Sequence, residues 1–298
     1  MKSTFSKLAW AFLGYLILVV LFGAWVRITG SGAGCGAHWP LCDGEVVPRA
    51  PSVERMIEYT HRVTSGLCGV FGIGFLVAAW RRFGGRHLVT RAAVATMLFI
   101  LVEGAVGAML VKLELVAGDT SSLRALVVAL HLGNTLLLTA SAALMAWLAG
   151  RPEGTRFSVA DQGGWFVVAL LTIIVTSMAG AVTALGDTVF PVGSAAAAEA
   201  GSHVIVRLRI LHPVLAVSTA AYLGWFVHKL LAQGLGAEAL TWARRLGLLV
   251  VVQVIFGFVN IGLAAPGWAQ IIHLALAQGV WVAAVLLAVA FRERAPGV

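Results

Sequence analysis

Ile57-Glu58-Tyr59-Thr60-His61-Arg62 opens an apolar run that continues to about residue 79. The run lacks the strict alternation of a strand. Its length is close to the about 20 residues with which a helix crosses the hydrocarbon core of a bilayer. On a helix, Glu58 and His61 share one face, one turn apart. Ionisable groups within a membrane span are costly and mark functional sites unless they reach water at the interface. Both residues lie near the start of the run, so snorkelling is the competing reading, and the rest of the chain decides between the two.

Outward from this stretch the pattern repeats. The 298 residues are 60% hydrophobic and 11% charged, with a mean hydropathy of +0.93. Soluble domains carry about 25% charged residues. Eight apolar runs stand out, at roughly 8–26, 56–79, 90–111, 123–149, 164–185, 205–230, 244–264 and 269–291. Lipid admits only helix bundles and closed barrels, and these runs specify an all-α integral membrane protein of eight transmembrane helices. The first run follows Lys2 and Lys7, but Ala24-Trp25-Val26-Arg27 is no cleavage site of small residues, so it reads as a retained span and not as a signal peptide.

The net charge of +8 does not indicate nucleic acid, because the basic residues are scattered through short connections. Of the 21 Lys and Arg residues, 13 fall on the side of the two termini and 8 on the other. The positive-inside rule therefore places both termini in the cytoplasm, and the membrane expected is the plasma membrane.

A polar linker, residues 151–163, divides the chain into 1–150 and 164–298. The halves match helix by helix. Gly23-Ala24 ends the first run and Gly180-Ala181 the fifth. His61 corresponds to His212, Glu103 and Gly107 to Gln253 and Gly257, and Leu130-His131-Leu132 to Ile272-His273-Leu274. Four spans per half keep the repeat in the same direction, which predicts two pseudo-symmetric four-helix bundles.

Four of the eight histidines, His38, His87, His203 and His228, fall in loops or near a surface. The other four, His61, His131, His212 and His273, lie about four to eight residues into alternate helices, a common depth of roughly 6–12 Å at ~1.5 Å per residue. A lone intramembrane histidine is often a packing residue. A pair at one depth in each of two bundles instead suits bis-histidine ligation of haem. Zinc would call for further ligands, and the fourth, sixth and eighth helices carry no Cys or carboxylate at that depth. Arg27, Arg55, Arg62, Arg124, Arg207 and Arg209 cluster on the same side, as forked partners for haem propionates or contacts to lipid headgroups. Glu58 corresponds to Arg209, so one half carries a carboxylate near its histidine where the other carries a cation. A poorly solvated glutamate can serve as acid or base. Cys35 and Cys42 share the glycine-rich loop between the first two runs. A structural disulfide, a redox-active pair and an incomplete zinc site with His38 are the readings open to them, while Cys68 reads as packing.

Together these residues resemble the bacterial haem A synthase family. The resemblance rests on Gly30-Ser31-Gly32-Ala33-Gly34-Cys35-Gly36, Trp39-Pro40-Leu41-Cys42, Ile57–Arg62, His131-Leu132-Gly133-Asn134-Thr135, His212-Pro213 and His273, and it covers all eight helices. It implies an oxidoreductase that converts haem O to haem A for terminal oxidases, oxidising the methyl group at porphyrin carbon 8 to a formyl by successive hydroxylations with oxygen from water. It implies that His61 and His131 hold substrate haem O, that His212 and His273 ligate a permanent haem b, that Glu58 is the acid, base or positioning carboxylate, and that Cys35 and Cys42 form a disulfide. Implied partners are the bilayer, an electron acceptor and the haem O synthase, and the reading admits a homo-oligomer. The chain departs from many Gram-positive relatives in having no cysteine pair between residues 186 and 204.

Three rival readings frame this expectation. A di-haem b protein exchanging electrons with quinol shares the ligands but lacks the reaction. A parallel-repeat transporter would place its polar groups near the midplane. A carboxylate-bridged di-iron protein would need more glutamates than Glu58 beside His61.

Overall fold

The computed structural model describes residues 4–49, 52–152, 155–157, 163–191, 193–194 and 203–294. Eight long helices dominate it: α1 Thr4–Ile28, α2 Val53–Phe83, α3 Leu88–Lys112, α4 Ser122–Leu148, α5 Gly163–Val189, α6 Leu211–Ala232, α7 Ala237–Gly262 and α8 Gly267–Ala290. A short helical segment, Val204–Leu208, leads into α6. All eight spans are long and apolar enough to cross a membrane, and the protein is a multi-pass membrane protein with an all-α fold. The outward faces of α3, α5 and α7 carry Leu98, Leu171, Val175, Leu248 and Ile255, all exposed, as a lipid-facing surface requires.

Local chemistry sets the helix ends. The Ser52 and Ser121 hydroxyls accept from the backbone N–H groups of Arg55 and Arg124, capping α2 and α4. Pro213, third in α6, has no N–H to donate, and its ring excludes the carbonyl four residues earlier. The helix accordingly breaks at Arg209-Ile210, so the single sixth span expected from hydropathy is interrupted and His212 sits in the first turn of α6. The seventh span begins at Ala237, seven residues before the expected 244. The early turn is anchored by Glu238, which accepts from Trp147 Nε1 (3.0 Å) and Trp242 Nε1 (3.1 Å) and pairs with Arg151 (3.4 Å).

Each set of four closes on itself. Helix α1 packs on α2, α2 on α3, α3 on α4 and α4 on α1, while α5, α6, α7 and α8 contact one another in the same cyclic order. The two sets meet through α4, which touches both α5 and α8, and through α1 against α8. Around α4 and α8 the end of the bundle remote from the histidines is solid: Met145, Trp147, Phe226, Leu230, Leu246, Leu286 and Leu287 are buried there. Polar contacts tie this core. Ser6 Oγ donates to the Ala146 carbonyl (2.7 Å) and Trp281 Nε1 to that of Leu136 (2.6 Å). The strands β1 (Arg156–Phe157) and β2 (Glu293–Arg294) pair antiparallel and tie the linker to the C-terminal segment. Linker residues 153–154 and 158–162, residues 192 and 195–202 of the loop after α5, and Lys2 lie outside the described residues.

Candidate active site

At the histidine-bearing end the bundle opens into a cavity of about 1420 Å³ lined by all eight long helices. An ordinary small-molecule pocket has roughly 300–1,000 Å³. His61, His131, His212 and His273 all line it, so the four residues chosen for their common depth share one chamber.

The histidines of α2 and α6 are seated alike. A Cβ on Gly23 of α1 would lie 3.0 Å from His61 Cε1, and one on Gly180 of α5 would lie 2.9 Å from His212 Cε1. In each case the first helix of a half presents bare backbone to the imidazole of the second. His61 also meets the Phe22 ring edge-on at 5.8 Å. His212 Nδ1 lies 3.1 Å from the Thr176 carbonyl. A carbonyl only accepts, so Nδ1 carries the proton and Nε2 is left for a ligand.

The histidines of α4 and α8 differ. His131 Nδ1 lies 2.5 Å from Glu103 Oε2, and the Thr135 hydroxyl donates to Glu103 Oε1 at 2.7 Å. His273 meets an amide instead, with Gln253 Nε2 3.2 Å from its Nε2 and with Gly257 against its ring. Turning that imidazole over would exchange which nitrogen meets Gln253 and which meets the cavity.

This donor set fits haem. The His212 and His273 ring centres are 6.3 Å apart, with planes at 86°. Two metal–imidazole bonds of ~2.0 Å, with about 1 Å from nitrogen to ring centre at each end, give nearly the same separation. His61 Nδ1, Thr183 Oγ1, Gln253 Oε1 and Asn260 Oδ1 are buried without a hydrogen-bond partner and belong to residues lining the cavity. Unpartnered buried polar atoms are rare except where a ligand or water answers them. Haem is the one group among those considered that uses both histidine pairs.

Glu58 is 3% exposed and fully engaged. Its Oε2 accepts the Cys35 N–H at 2.8 Å, and its Oε1 accepts from Arg62 Nε at 3.1 Å and from a second Arg62 nitrogen. Arg62 also donates to the His38 and Leu41 carbonyls, while Arg55 donates to the Gly34 carbonyl (3.1 Å) and pairs with Asp43 (3.0 Å). Gly34 is required, because a Cβ there would lie 2.7 Å from the backbone of Glu54 and Arg55. Cys35 and Cys42 are joined in a disulfide, which removes the thiols that a zinc site with His38 would use. The loop is thus fastened on α2 and brings Trp39 and Pro40 to the cavity.

Of the six arginines singled out, Arg27, Arg62, Arg124 and Arg209 line the cavity, whereas Arg55 and Arg207 do not. Arg55 serves the loop, and Arg207 is exposed. Arg27 of α1 reaches across the halves to the Ala184 carbonyl, Thr188 and Gln270 (2.9 Å). Arg124 donates to the carbonyls of Ala117 (2.7 Å) and Asp119 (2.6 Å). Arg209 pairs with Asp187 at 3.0 Å and donates to the carbonyls of Gly186 and Phe190. The contrast of Glu58 with Arg209 is therefore balanced locally, since each has an opposite charge beside it. The contrast that reaches the histidines is Glu103 against Gln253. The two correspond in the repeat, but Glu103 lies on the third helix, whereas the absence of carboxylates at histidine depth holds for the fourth, sixth and eighth.

A family model described as "Cytochrome oxidase assembly protein" (COX15-CtaA) matches residues 6–285. The chain belongs to this family. The COX15-CtaA match reaches all eight long helices, leaving out only the first two residues of α1 and the last five of α8, and the family resemblance drawn from the motifs stands. A Thermus thermophilus protein named "Protoheme IX farnesyltransferase" is 44% identical over 302 residues, covering 98% of this chain and 49% of its own length. Proteins named "Heme A synthase" are similar over about half of each chain. That of Halalkalibacterium halodurans is 39% identical over 141 residues (46% of this chain, 45% of its own), and that of Alkalihalophilus pseudofirmus 38% over 134 residues (45% and 42%). The chain thus spans about half the length of the curated relatives it matches.

Proposed function

We propose that this COX15-CtaA protein is a haem A synthase, oxidising the carbon-8 methyl group of haem O to a formyl with water as oxygen donor. The observation that carries the reading is the single cavity in which two histidine pairs converge, one pair from each half. The halves are pseudo-symmetric four-helix bundles, residues 1–150 and 164–298. In the first, His61 and His131 hold haem O. In the second, His212 and His273 hold haem b, which supplies one-electron transfer when bound. Arg27, Arg62, Arg124 and Arg209 are placed to meet carboxylates at the cavity, and propionates are the carboxylates a haem brings.

Glu58 is the acid–base candidate because it lines the cavity one turn from His61 while remaining shielded from bulk water. Removing hydrogens from a methyl group releases protons, and a carboxylate held by Arg62 and the Cys35 N–H offers them a fixed acceptor. Electrons leave to an acceptor outside the chain. The protein sits in the plasma membrane, and the charge bias of the connections favours both termini in the cytoplasm.

The Thermus relative's name supports a second reading, farnesyl transfer to protohaem, which consumes a different substrate. The two separate in one experiment. Purified protein is supplied with haem O in one arm and with protohaem plus farnesyl diphosphate in the other, and the haems are acid-extracted and resolved. Haem A from the first arm supports the proposal. Haem O from the second with no haem A from the first would favour prenyl transfer.

A further inference from the structure

We infer that Glu103 is a positioning residue that sets apart the substrate-holding half: it orients His131 and strengthens it as an iron ligand through Nδ1. The inference rests on the reading that His131 ligates haem O. Around a histidine common to both halves, two positions differ together. Glu103, His131 and Thr135 in the first half correspond to Gln253, His273 and Ala277 in the second. In the first, both carboxylate oxygens are used: Oε2 lies 2.5 Å from His131 Nδ1 and Oε1 accepts the Thr135 hydroxyl at 2.7 Å. In the second, Ala277 offers no hydroxyl, and Gln253 Oε1 is buried with no partner.

A carboxylate on the outer nitrogen of a ligating imidazole fixes its tautomer and ring angle and raises the basicity of the inner nitrogen. A more basic ligand favours ferric over ferrous iron, and a neutral amide does so less. The half that must oxidise a methyl group therefore has the charged support, and the half that passes electrons has the neutral one. This contrast touches the ligands directly, whereas Glu58 and Arg209 are each neutralised by a neighbour.

The test uses the full chain in detergent with its resident haem, to which haem O is added and followed by absorbance and spectroelectrochemistry. Glu103→Gln should bind haem O about 10–100-fold more weakly, the range found when such supports are removed, and should raise the midpoint potential of the haem O that does bind, with the resident haem unchanged. Thr135→Val, which keeps the carboxylate, should shift both readouts less and in the same direction. Gln253→Glu should lower the resident haem's midpoint potential. Unchanged affinity and potential in Glu103→Gln would overturn the inference and leave the proposed function standing. Loss of the resident haem alone in Glu103→Gln would overturn the assignment of the halves on which it rests.

Discussion

Glu58 and Glu103 hold different parts of the cavity wall. Glu58 fastens the disulfide loop to α2 through the Cys35 N–H and Arg62, and Glu103 supports His131. Glu58→Gln keeps an acceptor for the Cys35 N–H but loses the charge. Purified Glu58→Gln should retain haem binding and lose haem A formation by roughly 100-fold or more, the usual contribution of a general acid or base. Wild-type turnover in that variant would confine Glu58 to holding the loop. At this scale the sequence was informative about the histidines, because depth along an apolar helix is countable. It was less so about their supports. Glu103 and Gln253 sit on neighbouring helices, 28 and 20 residues from the histidines they meet, and no local spacing rule joins them. The ion pair of Arg209 with Asp187 was hidden for the same reason.

Helices were legible because eight apolar runs of membrane-spanning length admit little else. Their ends were not, where polar residues extend a helix. Arg244 and Arg245 read as a boundary, yet Glu238 anchors a further stretch of α7 through two tryptophans and Arg151. Pro213 was visible, but its consequence, a break at Arg209-Ile210 just before His212, depends on where the helix resumes. The packing of α1 on α2 and of α5 on α6 rests on glycines that leave room for an imidazole. Gly180→Val, whose Cβ would fall 2.9 Å from His212 Cε1, should abolish the resident haem's Soret band while circular dichroism keeps its helical signal. Gly23→Val should spare that band and remove haem O binding. Retention of both haems in both variants would show that these contacts do not position the rings.

For the whole molecule, the cavity is hollow where the histidines gather and the bundle is solid at the opposite end, so rigid helices hold the ligands from one side. Each half brings two histidines to the cavity, with different chemistry around them. His212→Ala and His273→Ala should each lose the resident haem, whereas His61→Ala should keep it and lose the product. Loss of the resident haem in His61→Ala instead would reverse the two assignments. The most direct measurement of the central claim is the haem composition of the purified wild-type protein made alongside a source of haem O. Acid extraction and chromatography should yield haem b together with haem O or haem A, and haem A should disappear in His61→Ala while haem b remains. Haem b alone, filling both sites, would contradict the account and leave a di-haem electron-transfer protein in its place.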